Sequence, residues 1–252
     1  GGGGDEQLYD ERDLKRCVDR IETVDFHQTL TAAGVKFVFL NAGHVLGAAM
    51  ISIEIAGVRV LYTGDYSCDQ DRHLMRAIPP VELPPDVLIV EATYGVQTHE
   101  TREVRERRFT SEVEQTVKRG GRCLIPVFAL GRAQELLLIL EEYWERHPDL
   151  HDVPIYYASK LATKALVVYQ TYIAHMNAHM QAHADRNPFK FKYITELRNA
   201  GGFEDTGPCV FMASPGMLQS GLSRQLFERW CKFSSNTTLL AGYSVEGTLA
   251  KK

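Results

Sequence analysis

Residues 42–65 read AGHVLGAAMISIEIAGVRVLYTGD, and the fold follows from them. Segments 49–55 and 58–62 are rich in β-branched and apolar residues, and Ala56-Gly57 between them is a hairpin signal. A third segment of the same kind, 35–40, precedes them, so the pattern predicts a three-strand meander. Its turns carry two pairs, Gly43-His44 and Gly64-Asp65, each a glycine directly before a metal-competent side chain near a strand end. Glycine lets the backbone turn sharply, so the neighbouring imidazole or carboxylate projects over the sheet edge. Neutral imidazole and carboxylate are good zinc ligands, and a carboxylate can bridge two zinc ions ~3.5–4 Å apart, yet two ligands fill only half of a four-coordinate shell. From spacing alone, His44 and Asp65 stay open between metal ligation and hydrogen bonding in a loop.

Upstream, 10–23 has helical spacing, with Leu14, Cys17, Val18 and Ile21 on one face and Asp10 as a cap. Residues 1–7 begin with four glycines and read as a flexible linker or the remnant of a disordered loop. Downstream, Pro84-Pro85 breaks the chain before 87–90, a wholly apolar run expected to be a strand buried on both faces. From about residue 100 the pattern changes to alternation: helix 103–118, strand 123–127, helix 133–144, strand 154–157, helix 161–175, strand 208–212, helix 222–230 and strand 238–240. Such alternation predicts βαβ units in a mostly parallel sheet with helices on both sides, and a boundary near Val96.

The chain has 252 residues, 44% of them apolar, which is enough to fill a core. A net charge of -4 excludes a broad basic footprint, so any nucleic acid must be held locally by a cleft, a metal or a small cationic patch. The five cysteines are single and scattered without C-x-x-C spacing, which argues against a disulfide framework and a thiolate zinc site. No apolar run approaches the ~20 residues of a membrane span, and the glycine-rich opening has no signal-peptide core.

Two further loops could face an anion. In 128–135, FALGRAQE, a strand passes through Gly131 into a helix, so free N–H groups and Arg132 could meet a phosphate. Ser214 and Gly216, in 214–217, SPGM, offer the same after another strand. Neither is a P-loop, because the G-x-x-x-x-G-K-[ST] spacing is absent. His175, His179 and His183 at i, i+4 and i+8 suggest a chelating face, but no H-E-x-x-H accompanies them and a solvated helix is the expectation. Arg102, Arg105, Arg107 and Arg108, interleaved with Glu103 and Glu106, likewise read as a solvated face.

Taken together, 42–50 and 61–65 resemble the third and fourth metal motifs of the metallo-β-lactamase superfamily in its RNA-cutting form. The segments 91–95 (EATYG), 125–135 (IPVFALGRAQE), 213–217 (ASPGM) and 246–250 (EGTLA) are similar to the β-CASP branch, most closely to the endonuclease subunits of cleavage and polyadenylation factors, with the Integrator endonuclease as a near relative. The resemblance runs from about residue 8 to the C-terminus. It implies an α/β fold: part of a metallo-β-lactamase αββα sandwich over 8–96, then a truncated β-CASP domain over 97–252 with a mostly parallel sheet flanked by helices. It implies a zinc-dependent endoribonuclease that cuts pre-mRNA at its 3′ end ahead of polyadenylation. In that reading two zinc ions are the cofactors, His44 ligates one of them, and Asp65 bridges both and is catalytic. Glu91 is catalytic through a histidine that it orients for protonating the leaving oxygen. Pre-mRNA and other subunits of a cleavage and polyadenylation complex are the implied partners, no membrane is involved, and the location is nuclear.

One departure tempers this. The H-x-H-x-D-H motif and the later histidine motifs of the family do not occur here, so the expectation is a piece of a longer polypeptide, inactive alone. The competing readings are a non-catalytic β-CASP scaffold subunit of an RNA-processing complex, the Integrator-type endonuclease, and a nucleotide-binding α/β domain that uses Gly131.

Overall fold

A computed structural model describes residues 8–80, 84–128, 131–158, 161–197 and 203–251. The described residues form two five-stranded sheets, one antiparallel except at its edge and one wholly parallel.

The first sheet has the order β1-β2-β3-β4-β5, with β1 Thr29–Ala32, β2 Val35–Asn41, β3 Ala49–Ile55, β4 Val58–Tyr62 and β5 Val87–Ile89. The meander falls where the sequence puts it. Its hairpin at Ala56-Gly57 has φ of 49° and 80°, both positive as a type I′ turn requires, and Ala33-Gly34 repeats the device at 49° and 79°. That first hairpin adds β1, which the apolar pattern did not signal. The β4–β5 pair is the one parallel contact.

Two expectations are corrected in this part of the chain. The opening helix α1 spans Glu11–Val18, capped by Asp10 and Asp13 in a reciprocal box, and stops short of residue 23 with no residue buried. Its apolar face therefore has no partner among the described residues. The run at 87–90 is a strand, but it is the sheet edge: Val87, Leu88 and Ile89 are each about half exposed, pairing with β4 alone. Nothing among the described residues covers its faces, so it lacks the double burial its composition suggested.

The second sheet has the order β10-β6-β9-β7-β8: β6 Arg122–Pro126, β7 Ile155–Ala158, β8 Ile194–Leu197, β9 Cys209–Ala213 and β10 Thr237–Thr238. Helices α2 Arg102–Lys118, α3 Arg132–Arg146, α4 Ala162–Thr171, α5 Ala178–Ala182 and α6 Gly221–Trp230 connect and cover it. Period-two alternation decides which side of a strand meets which helix. Cys123 and Ile125 of β6, with Val210 and Met212 of β9, pack with Val113 and Val117 of α2, Leu137, Leu140 and Trp144 of α3, and Leu166 and Tyr169 of α4. Leu124 and Phe211 point the other way, against Leu226 and Trp230 of α6. These are the buried strands and flanking helices expected of an α/β layer. The helix expected over 161–175 ends at Thr171, and a 3₁₀ turn at Ile173–His175 follows.

Adjacent strands β6 and β9 send their chains to opposite faces, β6 into α3 and β9 into α6. A crevice at the carboxyl ends of such a pair is where open parallel sheets bind ligands. A polar strap from 71–77 ties the sheets together. Arg72 pairs with Glu142 at 2.6 Å and with Glu106 at 2.6 Å. The Asn177 amide donates to the His73 carbonyl at 3.0 Å, and Leu74 bridges to Met176. Glu106 thus faces inwards, a correction to the solvated face expected for the 102–108 cluster.

Candidate metal centre

The register brings three strand ends to one edge of the first sheet. Asn41 at the end of β2 stands opposite Ala49, Tyr62 at the end of β4 opposite Ile51, and Ile89 at the end of β5 opposite Tyr62. His44, Asp65 and Glu91 follow those three ends.

The His44 loop is tightly determined. The Gly43 amide donates to Asn41 Oδ1 at 2.7 Å, and the Ser67 amide donates to the Ala42 carbonyl at 2.8 Å. Gly43 has φ +65°, and a Cβ there would stand 2.6 Å from the Ser67 carbonyl oxygen, so only glycine fits. His44 itself has φ 57°, a conformation costing a non-glycine residue about 1–3 kcal/mol and found where surrounding structure over-determines it. Gly64 turns the other loop at φ 55°. Buried Thr63 anchors that loop by donating its amide to the Ile89 carbonyl at 3.0 Å and its hydroxyl to the Gly64 carbonyl at 2.8 Å.

His44 Nε2 lies 3.7 Å from Asp65 Oδ2, with both side chains open to solvent. Two ligands on one tetrahedral zinc, each ~2.0–2.2 Å from the ion, have donor atoms roughly 3.4 Å apart. The pair fits as two ligands of a shared ion, and among the described residues no third histidine, cysteine or carboxylate completes a metal-holding group.

Glu91 sits beside this pair. Its Oε2 accepts from the Thr93 hydroxyl at 2.5 Å and the Thr93 amide at 3.0 Å. Those bonds first, then the Tyr66 backbone and the nearby His44, hold its carboxyl below the ordinary glutamate range. It is therefore a fixed anion at neutral pH, able to orient a proton-bearing imidazole. Three residues on, the Tyr94 ring meets His99 at 4.6 Å and Tyr243 at 6.4 Å, joining the Glu91 loop to the far end of the chain.

The phosphate-facing candidates divide. Arg132 opens α3 and its guanidinium pairs with Glu135 at 2.5 Å while remaining half exposed. Gly131, at φ +91°, touches the His44 loop: a Cβ there would lie 3.0 Å from Val45 Cγ1. The buried Tyr169 side chain lies against the backbone of both Gly131 and Leu46, between one loop and the other. Ser214 and Gly216 lie on the β9 side of the crevice. Ser214 Oγ is turned away from solvent and has no hydrogen-bond partner among the described residues, and the Ser223 hydroxyl donates to the Pro215 carbonyl at 2.6 Å. Gly216 packs under Phe128, where a Cβ would lie 3.2 Å from Cε2 of the ring.

The histidine series does not form one face. His175 sits in its own turn beside the Gly43–Gly47 loop, whereas His179 and His183 belong to α5 and its end, with rings 4.7 Å apart and solvent-exposed. Tyr169, Arg72 and Phe128 were not singled out from sequence. The dense polar run Asp71-Arg72-His73 just past the meander was the one available hint.

Residues 133–252 match the family model described as Beta-Casp domain. The chain carries a β-CASP domain. Outside it the similarity continues to the first sheet. The chain is 62% identical over 98% of its length to "Cleavage and polyadenylation specificity factor subunit 3" of Dictyostelium discoideum, covering 32% of that protein. It is 59% identical over 98% of its length to "Cleavage and polyadenylation specificity factor 73" of Drosophila melanogaster, covering 36% of it. To "Endoribonuclease YSH1" of Saccharomyces cerevisiae it is 56% identical over 99% of its length, covering 33% of that protein. The chain thus spans about a third of the length of these relatives, and in it the β-CASP domain follows the antiparallel sheet that bears His44 and Asp65.

Proposed function

We propose that this chain is part of a zinc-dependent endoribonuclease that cuts pre-mRNA at its 3′ end ahead of polyadenylation, within a nuclear complex of several subunits. The approach of His44 Nε2 to Asp65 Oδ2, 3.7 Å across two strand ends, carries the reading. Names of relatives support it, since several that are similar over nearly the whole chain are called endoribonucleases or cleavage and polyadenylation factors. In this reading 8–96 is part of a metallo-β-lactamase domain and 97–252 is the β-CASP domain, while 1–7, read as a linker from sequence, lie outside the described residues.

His44 would be a ligand of one of two zinc ions and Asp65 a ligand of both, with the remaining ligands supplied from outside this chain. Zinc, when bound, supplies Lewis-acid polarisation of a phosphoryl oxygen and a nucleophile at neutral pH. The chain's own residues do the rest. The positive-φ turn at His44 and the Gly64 turn fix the two ligands before metal arrives, which lowers the cost of assembling the site. Glu91, kept ionised by Thr93, orients a histidine that hands its proton to the departing 3′-oxygen. Arg132 and the backbone at Gly131 and Gly216 receive the phosphodiester chain on either side of the β6–β9 crevice, and Arg132 exchanges Glu135 for phosphate as RNA enters. Ser214 reaches the chain through its backbone, because its hydroxyl faces inwards.

The test is Asp65→Ala in a full-length polypeptide carrying this chain. Cleavage of a single-stranded RNA substrate should fall by at least about 1,000-fold and zinc content should drop below two per protein, with the circular dichroism spectrum unchanged. A mutant that cuts as well as the wild type sinks the bridging role.

A further inference from the structure

Phe128 lies two residues past β6, at the mouth of the β6–β9 crevice, and 54% of its surface is exposed. One side of the ring is supported: a Cβ at Gly216 would stand 3.2 Å from Cε2 and 3.3 Å from Cδ2, so the glycine lets the ring settle on the backbone of the β9 loop. Three residues on, Gly131 meets the loop of His44, so the ring and the candidate metal centre share one connected rim. An exposed aromatic backed by glycine costs apolar hydration and stabilises no core. The chain's net charge of -4 offers no broad electrostatic hold on a polyanion, and Arg132 at this rim is already paired. Stacking contacts would therefore add to the hold that Arg132 gives once it exchanges Glu135 for phosphate.

We infer that the open side of the Phe128 ring is a stacking platform for one nucleobase of single-stranded RNA, placed so that the adjoining phosphate runs along the start of α3 towards His44 and Asp65. The inference rests on the nuclease reading above. Every base has a π face, so the platform adds affinity and position without reading sequence, and an unpaired strand is required because a paired base cannot turn out to meet it. Phe128 is a positioning residue in this scheme, with no part in bond breaking.

The experiment uses the full-length polypeptide and a labelled single-stranded oligoribonucleotide, with a set of oligonucleotides each lacking one base while keeping its ribose. Phe128→Ala should raise KM about 10-fold or more and leave kcat within a few-fold, and Phe128→Trp should keep the wild-type KM. Phe128→Leu, which fills the same space without a π face, should behave as Phe128→Ala does. One abasic position should cost wild type the same factor and cost Phe128→Ala nothing more. The dependence of affinity on salt should have the same slope in wild type and Phe128→Ala, because no phosphate contact is lost. A Phe128→Leu protein with wild-type KM, or an abasic penalty that Phe128→Ala fails to absorb, overturns the platform while leaving the nuclease reading intact. A wild-type protein that neither binds nor cuts the oligonucleotide overturns both.

Discussion

All five residues of β9 are buried, whereas the three residues of β5, equally apolar in composition, are each about half exposed. The same contrast holds for the sheets around them. The parallel sheet is enclosed by α2, α3 and α4 on one face and α6 on the other, with Trp144, Phe211 and Leu137 wholly removed from water. The antiparallel sheet has a core cluster of four small or mid-sized buried residues, Ala42, Met50, Leu61 and Ala77. Burial sets the shape of the first of these; backbone constraint sets the shape of the second, through glycines, positive-φ turns and side chains that cap loop amides. The residues of the candidate metal centre stand on the constrained sheet, and the crevice proposed to receive substrate stands on the packed one. The proposed support for RNA and the candidate metal-bearing edge shaped by turns are therefore built by different forces, joined by the strap at 71–77.

Gly43→Ala tests the constraint most severely. The new Cβ meets the Ser67 carbonyl oxygen at 2.6 Å in a backbone at φ +65°, so strain and overlap together should cost about 3 kcal/mol. Gly34→Ala is the control: its φ of +79° carries strain alone, with nothing within 4 Å of the new atom, and about 1 kcal/mol is expected. Urea denaturation of both variants measures the difference. Equal losses would mean that the His44 loop yields to fit a methyl group, and the contrast between a packed sheet and a constrained one would fail at the site that matters most.

The strap supplies a smaller, pH-dependent effect. Burial pushes the Asp71 carboxyl up, but the His73 ring 3.0 Å away and the amides of His73 and Leu74 outweigh it and hold the group well below the aspartate range. A carboxyl depressed in the folded state adds stability that is present above its unfolded value of ~3.9 and is lost as the pH falls through the folded value. Stability should therefore decline with acidification below about pH 4. In Asp71→Asn it should start lower, by on the order of 1–2 kcal/mol at neutral pH, and fall less steeply. Denaturation midpoints between pH 3 and 7 report both. A variant with the wild-type slope would show that the strap does not couple the sheets through this carboxylate.

What could be read from the sequence divides along the same line. The strands of the parallel sheet announce themselves as short apolar runs such as CVFMA, because burial on both faces leaves a compositional trace. Gly43-His44 and Gly64-Asp65 were equally legible, since a glycine beside a ligand-type residue states a backbone requirement locally. Strands β1 and β8 left no such trace: TLTA and ITEL are edge segments with mostly exposed or half-exposed side chains, and hydrogen bonding to a neighbour has no compositional signature. Tyr169 and Phe128 were hidden for another reason. Each sits in an ordinary apolar context, and its partner loop lies tens of residues away, Leu46 for one and Gly216 for the other. The run at 87–90 is the instructive case, because it was read correctly as a strand and wrongly as a buried one.

Leu88→Ala turns that discrepancy into a measurement and is the smallest effect expected. In the chain as it stands Leu88 is 54% exposed on an edge strand, so its truncation should change stability by no more than about 0.5 kcal/mol. A fully buried leucine loses about 2–5 kcal/mol in the same substitution. Made in a full-length polypeptide carrying this chain, Leu88→Ala should move towards the second figure if the apolar run answers to strands or helices that these residues do not include. Equal, small losses in both contexts would instead make β5 a true edge, and its unbroken apolar composition would then need an explanation other than burial. The comparison also bears on the metal centre, because Glu91 follows β5 directly and its amide lies 3.4 Å from Thr63 Oγ1 at the head of the Asp65 loop. Covering β5 would hold that strand end against β4, and the acidic residue proposed to orient a proton donor would then be fixed by packing as well as by its hydrogen bonds to Thr93.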